Sequence, residues 1–200
     1  MRILLVDDHA LFAKSLEITL EGMPEIERFW SVSNVLNVIS EIEKESPDIV
    51  LVDINLGNIS NEDGLVLTKN ILQQIPDVNI VILTGYDLPV YRHEAKKIGA
   101  KGFVNKNIEP ENLIAILSQI QNGQFYFSSV TSYIEELTDG EKQILQLLCA
   151  GNKRKEIANM LYISERTVSN HLQHIFDKLH VTSSLEAVTK GIQLGYIQPK

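Results

Sequence analysis

The feature that most constrains this chain is an alternation repeated five times in its first 122 residues: a short apolar run, then a stretch with helical spacing. Ile3 to Val6, Ile26 to Trp30, Ile49 to Val52, Ile80 to Leu83 and Gly102 to Val104 predict strands. Ala10 to Glu21, Val35 to Glu45, Leu65 to Gln74, Val90 to Ile98 and Pro110 to Gln121 predict the helices that follow them, with Pro47, Pro76 and Gly99 falling at turns. Strand followed by crossover helix, repeated, closes only as parallel pairs, so the pattern predicts a doubly wound (βα)5 α/β domain with a parallel five-stranded sheet.

The rhythm stops after residue 122. Residues 123–137 carry the aromatic cluster Phe125-Tyr126-Phe127, then Ser128-Ser129 and an acidic stretch, which predicts a linker that packs at its start. Everything from Thr138 to Lys200 reads as helix, a small all-α four-helix domain. Thr138-Asp-Gly-Glu141 and Ser183-Ser-Leu-Glu186 have capping-box spacing, Ser164 is placed to cap a third helix, and Lys155 to Leu161 predicts the fourth. A support helix, the turn Tyr162-Ile-Ser164 and a second helix from Glu165 to Leu179 make the outline of a helix-turn-helix. Val168, Leu172, Ile175, Phe176 and Leu179 are expected to be buried, turning Arg166, Ser169, Asn170, Gln173 and Asp177 outward.

Charge separates the two parts. The net charge is -8. Residues 1–130 hold 10 Lys/Arg against 18 Asp/Glu, whereas residues 138–200 hold 8 against 6. Binding to a polyanion is therefore expected to be local to the C-terminal part. No apolar run is long enough to span a bilayer and no leader pattern opens the chain, so a cytoplasmic protein without membrane partners is expected. The single cysteine, Cys149, sits in an apolar helical pattern and is expected to be a small buried residue.

In an open parallel sheet, ligands bind beyond the carboxyl ends of the strands. That rule selects Asp7 and Asp8 after the first predicted strand, Asp53 after the third, Thr84 after the fourth and Lys106 after the fifth. Crowded carboxylates repel unless a cation joins them, and Mg2+, which takes oxygen ligands and retains room for phosphate oxygens, suits an incomplete cage of this kind. A carboxylate there can attack phosphorus to give an acyl phosphate, with metal and ammonium neutralising charge in the transition state. Asp53 is the expected nucleophile. Asp87, His93 and Trp30 lack such company and read as surface or packing residues.

Asp7-Asp8-His9, Leu51-Val-Asp53-Ile-Asn55, Leu83-Thr84-Gly85 and Gly102-Phe103-Val-Asn-Lys106 together resemble the receiver domain of two-component response regulators over residues 1–122. The resemblance implies that Asp53 accepts phosphate from a sensor histidine kinase and that Asp7, Asp8, Asp53 and the backbone carbonyl of Asn55 bind Mg2+. It further implies that Thr84 and Lys106 contact the phosphoryl group and that Thr84 and the aromatic Phe103 move together as a switch. The loop Leu56-Gly-Asn-Ile-Ser-Asn-Glu-Asp63-Gly64 departs from the family pattern, being about three residues longer, with Gly57 where proline is common.

Leu137-Thr-Asp-Gly-Glu141, Ala150-Gly151, Lys155-Glu-Ile-Ala158, Ile163-Ser-Glu-Arg-Thr-Val168, His171, Lys178-Leu179 and Glu186-Ala187 resemble the LuxR-type helix-turn-helix of the NarL/FixJ class. This implies base-facing Ser169, Asn170 and Gln173, with Arg166 and Thr167 also at the DNA. It implies backbone contacts from Lys153, Arg154 and Lys155, and dimerisation through the last helix, Ser184 to Leu194. Two positions often basic in the family are Ser169 and Ser184 here. His171 and His174 have i, i+3 spacing without a third ligand nearby.

The expected protein is thus not an enzyme but a transcription regulator whose dimerisation and promoter binding follow phosphorylation of Asp53. A dehalogenase-type phosphotransferase would want a second Asp two residues after the first, where Asn55 stands. A receiver-like domain whose DNA binding ignores phosphate is the other alternative.

Overall fold

The computed structural model describes residues 1–57, 63–85, 87–127 and 136–197. The chain divides into two compact units. In the first, strands β1 (Arg2–Val6), β2 (Arg28–Val32), β3 (Ile49–Val52), β4 (Ile80–Thr84) and β5 (Gly102–Asn105) form one parallel sheet in the order β2-β1-β3-β4-β5. The helices are α1 (Ala10–Leu20), α2 (Val38–Glu45), α3 (Gly64–Gln74), α4 (Pro89–Lys97) and α5 (Pro110–Gln121). This is the predicted doubly wound (βα)5 arrangement.

Side chains alternate between the two sheet faces, and each face has its own core. Leu4, Val6, Val50, Val52, Ile80, Ile82 and Phe103 pack with Val38 and Ile42 of α2, Leu65 and Ile71 of α3 and Ala95 of α4. Ile3, Leu5, Ile49, Leu51, Val81, Leu83 and Val104 pack with Ala13, Leu16 and Leu20 of α1 and with Leu113, Ile114, Leu117 and Ile120 of α5. Burial on both faces explains why β3 and β4 read as continuous apolar runs rather than alternating ones.

Two local expectations change, and the start of the predicted linker packs as expected. The second strand is Arg28–Val32, two residues beyond the predicted Ile26 to Trp30, because pairing Arg2 with Arg28 through Val6 with Val32 fixes the register, while Ile26 packs at the edge of the α1 face. The predicted Val35 to Glu45 helix opens as a 3-10 turn, Val35–Asn37, with the Asn34 side chain accepting from the Leu36 N–H. At the start of the predicted linker, Tyr126 pairs with Gly102: its N–H donates to Lys101 O and its carbonyl accepts from Phe103 N–H, both at 2.9 Å. Residues 128–135 of that linker lie outside the described residues.

The second unit is helical: α6 (Asp139–Cys149), α7 (Arg154–Met160), α8 (Glu165–Leu179) and α9 (Ser184–Leu194). Val168, Leu172, Ile175 and Leu179 are buried in a core with Ile144, Leu145, Ile157 and Ala187. Phe176 and Cys149, expected to be buried, are only half-buried at its margin. Thr138 and Glu141 form the full capping box, and Ser164 accepts from the Thr167 N–H. The predicted box at Ser183 is only half made: Ser183 Oγ accepts from Glu186 N–H, but the Glu186 carboxylate turns one residue earlier, to the N–H and hydroxyl of Thr182. Among the described residues no helix is long and apolar enough to cross a membrane.

Candidate functional site: an acidic pocket and a helix-turn-helix face

Strand order reverses beside β1, which carries β2 on one side and β3 on the other, so a crevice opens where β1 and β3 end. Val6 pairs with Val52, and the Asp53 N–H donates to Val6 O at 3.0 Å, which sets Asp7 and Asp53 side by side just past the sheet. The hydrophobic strands hold both carboxylates out of water, each residue being 2% exposed. Asp8 follows at the mouth, its side chain also covered.

The fifth strand delivers the cation. The Lys106 N–H donates to the Thr84 carbonyl at 2.9 Å, which continues the β4–β5 pairing and aims the side chain inward. Its Nζ then lies 2.7 Å from Asp53 Oδ2, as a hydrogen-bond donor, and 2.8 Å from Asp7 Oδ2, as an ion pair without hydrogen-bond alignment. The same ammonium sits 4.6 Å from the centre of the Phe12 ring. Asp53 Oδ1 is buried with no hydrogen-bond partner. A charged oxygen in that position is costly unless a cation reaches it. Asp7, Asp8, His9 and Asp53 bring one ligand atom each to within 4.8 Å of one another, a spacing that can hold a metal ion.

His9 is the residue sequence reasoning passed over. It stands inside the Asp7-Asp8-His9 motif, yet its only signal is adjacency to the carboxylates. Its Nδ1 lies 2.7 Å from Asp8 Oδ1 and 3.2 Å from Asp7 Oδ1. The pocket is an open cavity of about 400 Å3 lined by His9, Leu11, Phe12, Asp53, Asn55, Gly85 and Lys106. Asn55 is therefore at its wall. Thr84 is fully buried at the end of β4. Phe103 is buried on the same sheet face, beside its β4 partner Ile82 and under the Arg92 guanidinium, which is 5.6 Å from the ring centre and ion-paired with Asp87.

In the second unit the candidate DNA contacts divide by exposure. Lys153, Arg154 and Lys155 at the start of α7 are all exposed, as are Arg166, Asn170 and Gln173 on α8. Gln173 donates to Asp177 Oδ1 at 2.9 Å. Thr167 and Ser169 are half-buried, and their hydroxyls are engaged with Ser164 Oγ and the Glu165 carbonyl. Arg166, Asn170 and Gln173 recur at helical spacing on one exposed stripe of α8.

Known proteins match both units. Residues 3–118 match the response regulator receiver domain, and residues 135–190 match the luxR family of bacterial regulatory proteins. The uncharacterized transcriptional regulatory protein YhcZ of Bacillus subtilis is 31% identical, with 96% of each chain covered. The transcriptional regulatory protein DegU of Brevibacillus brevis is 28% identical over 99% of this chain and 95% of its own. Among solved structures, the Salmonella typhimurium response regulator RcsB covers 94% of this chain and 98% of its own with a TM-score of 0.71 at 22% identity, a likeness of fold. The chain belongs to the response regulators of the NarL/FixJ class, transcription regulators rather than enzymes, in which a receiver domain precedes a LuxR-type helix-turn-helix domain.

Proposed function

We propose that Asp53 is the phosphoacceptor and that its phosphorylation controls dimerisation and promoter binding. The observation that carries this reading is the pairing of a buried Asp53 carboxylate with the Lys106 ammonium at 2.7 Å, inside a pocket open to solvent. An oxygen of Asp53 attacks the phosphorus of a phosphohistidine on a sensor kinase. The P–N bond breaks as the P–O bond forms, and the imidazole leaves as the neutral base after taking up a proton. Lys106 stays beside the transferred group and offsets its charge, and the Thr84 hydroxyl takes a phosphoryl oxygen as Thr84 and Phe103 shift together.

The donor set fits Mg2+: carboxylate oxygens dominate, and the buried Asp53 Oδ1 has no other partner. Asp7, Asp8, Asp53 and the Asn55 carbonyl would hold it. When bound, the ion offsets the negative charge that gathers on the phosphoryl oxygens. On this reading residues 1–122 form the receiver, 123–137 the linker and 138–200 the DNA-binding domain. Lys153, Arg154 and Lys155 touch phosphates. Arg166, Thr167, Ser169, Asn170 and Gln173 face the major groove, with Asn and Gln suited to adenine edges. The active form is a cytoplasmic homodimer joined through α9, bound to double-stranded promoter DNA.

The test is to treat wild type and Asp53→Asn with a small acyl-phosphate donor and Mg2+, and to follow labelling, oligomeric state and DNA binding. The expected result is label on wild type alone, with a gain in dimer and in DNA affinity. Absence of label on wild type defeats the reading. Label without any change in oligomer or DNA affinity moves it to constitutive binding.

A further inference from the structure

We infer that Tyr162, at the tip of the turn between α7 and α8, contacts the DNA backbone: its hydroxyl donates to a phosphate oxygen on the wall of the groove that α8 enters. The inference rests on the reading of the helical unit as DNA-binding, and adds to it a contact outside the basic α7 start and the exposed stripe of α8.

The turn suits almost any small residue better than tyrosine. The Ile163 N–H donates to Ala158 O at 3.0 Å and the Tyr162 N–H to Asn159 O at 3.4 Å, the paired bonds of a Schellman ending, which takes left-handed backbone at position 162. Its φ is 54°. Glycine supplies that conformation after α6, at Gly151, and after α9, at Gly195. His180 supplies it after α8, and histidine enters the left-handed region more readily than most side chains. A bulky aromatic there is strained, and such strain collects where function uses the side chain. Folding makes no use of this one: the residue is 96% exposed, whereas its neighbour Ile163 packs against the core of the unit.

Position decides what the ring meets. Tyr162 stands two residues before Ser164, the N-cap of α8, so the two Cα atoms lie within about 7 Å of each other. In a helix-turn-helix the N-terminal residues of the second helix reach the base edges, and Arg166, Asn170 and Gln173 form the exposed stripe read as facing them. A helix with its side chains is about 10–12 Å across and the major groove is about 12 Å wide, so α8 fills the groove and leaves no space beside it for the turn. The turn therefore comes up against the sugar-phosphate wall. Tyrosine suits that surface, because its hydroxyl donates to phosphate oxygens while its ring covers apolar sugar atoms. The contact is uncharged and is blind to sequence.

The experiment uses the full chain, treated with an acyl-phosphate donor and Mg2+, and two duplexes of equal length, one recovered from a random pool by the wild-type chain and one unrelated to it. Affinity is measured at several salt concentrations for wild type, Tyr162→Phe and Tyr162→Asn, and phosphate ethylation interference locates the backbone contacts. Asparagine tolerates left-handed backbone, so the turn stays intact, which a thermal melt checks. The expected result is about a fivefold to tenfold weaker binding of both duplexes by Tyr162→Asn and about a threefold weaker binding by Tyr162→Phe. The slope of log affinity against log salt stays as in wild type, because no cation has been removed. At least one phosphate whose ethylation weakens wild type ceases to matter in both variants. Wild-type affinity from Tyr162→Phe, a loss confined to the selected duplex, a changed salt slope or an unaltered interference pattern overturns the inference. A Tyr162→Asn chain that melts below wild type assigns the ring to packing and overturns it as well. If wild type binds DNA and the variants match it, the inference alone falls. If the wild-type chain binds neither duplex, the DNA-binding reading of the helical unit falls with it.

Discussion

Gly64, the first residue of α3, lies flat against the backbone carbonyl of Asp53: a Cβ at position 64 would fall 1.8 Å from that oxygen. The Gly64 N–H also donates to Ile54 O at 2.8 Å, so the chain returns to the acceptor strand as soon as the long loop ends. Residues 58–62 of that loop lie outside the described residues; Asp63, which follows them, caps α3 by accepting from the N–H groups of Leu65 and Val66.

Gly64→Ala is expected to destabilise the receiver by about 3 kcal/mol, since backbone must move to clear the methyl group and overpacking alone costs about 1–3 kcal/mol. Urea unfolding of the full chain measures it. The displaced Asp53 should also label more slowly with an acyl phosphate. A variant as stable and as reactive as wild type would contradict the close approach.

Lys106→Met removes the ammonium from between Asp7 and Asp53, two residues each 2% exposed. Breaking one partner out of a buried ion pair costs about 3–5 kcal/mol, and the lower end is expected because the lysine side chain remains 14% exposed. Millimolar Mg2+ should restore part of the loss by binding only the folded form. An unchanged unfolding midpoint without Mg2+ would show that the two carboxylates do not need this cation.

In the helical unit the pH response turns on Glu141. Burial alone would raise its carboxyl, but hydrogen bonds from the Lys178 ammonium and from the backbone and hydroxyl of Thr138 outweigh it and hold the group below the usual carboxylate range. A folded-state value below the unfolded one means stability that is present above about pH 4.3 and lost as pH falls through the lowered value. Lys178→Met should remove about 1.5–3 kcal/mol at neutral pH and flatten that acid dependence, as followed by α-helical circular dichroism. Tyr196 marks the alkaline side: burial, with Glu136 and Glu141 adding to it against a hydrogen bond with the Leu137 backbone, pushes its hydroxyl up to about 12. Here the folded value lies above the unfolded one, so the contribution is whole below about pH 10 and is lost as pH rises toward the folded value. Tyrosinate absorbance should show a late ionisation that Tyr196→Phe removes.

Tyr162 turns between α7 and α8 with φ of 54°, and its side chain is 96% exposed. A side chain in the left-handed region carries strain that no packing here repays, so Tyr162→Asn should stabilise the helical unit by about 0.5–1 kcal/mol. Chemical denaturation decides it, and a loss of stability would reveal a role for the ring.

Asn170→Ala and Lys153→Ala should weaken DNA binding differently. The first should relax discrimination at one base pair by about 1–3 kcal/mol. The second should weaken all sequences alike and lower the slope of log affinity against log salt by about 0.9. Competition binding at several salt concentrations separates them, and a uniform loss from Asn170→Ala would place it on phosphate rather than on a base.

The sequence carried the repeat of strand and helix, the two-faced burial of the strands and the placement of Asp7, Asp53, Thr84 and Lys106 at strand ends. These follow from side-chain periodicity and from the rule that parallel crossovers return the same end of every strand to one side. The bounds of α5, α8 and α9 were legible too, because Pro110, Ser164 and Ser183 announce their starts locally. Tertiary structure alone decided what depends on a distant partner. The register of β2 was set by β1 rather than by where the apolar residues begin. Tyr126 was recruited to the edge of β5 by backbone hydrogen bonds that composition does not encode. Above all, the position of the His9 ring over three carboxylates depends on two strand ends 46 residues apart meeting in space, and no local pattern around Asp7-Asp8-His9 distinguishes that from an exposed helix start.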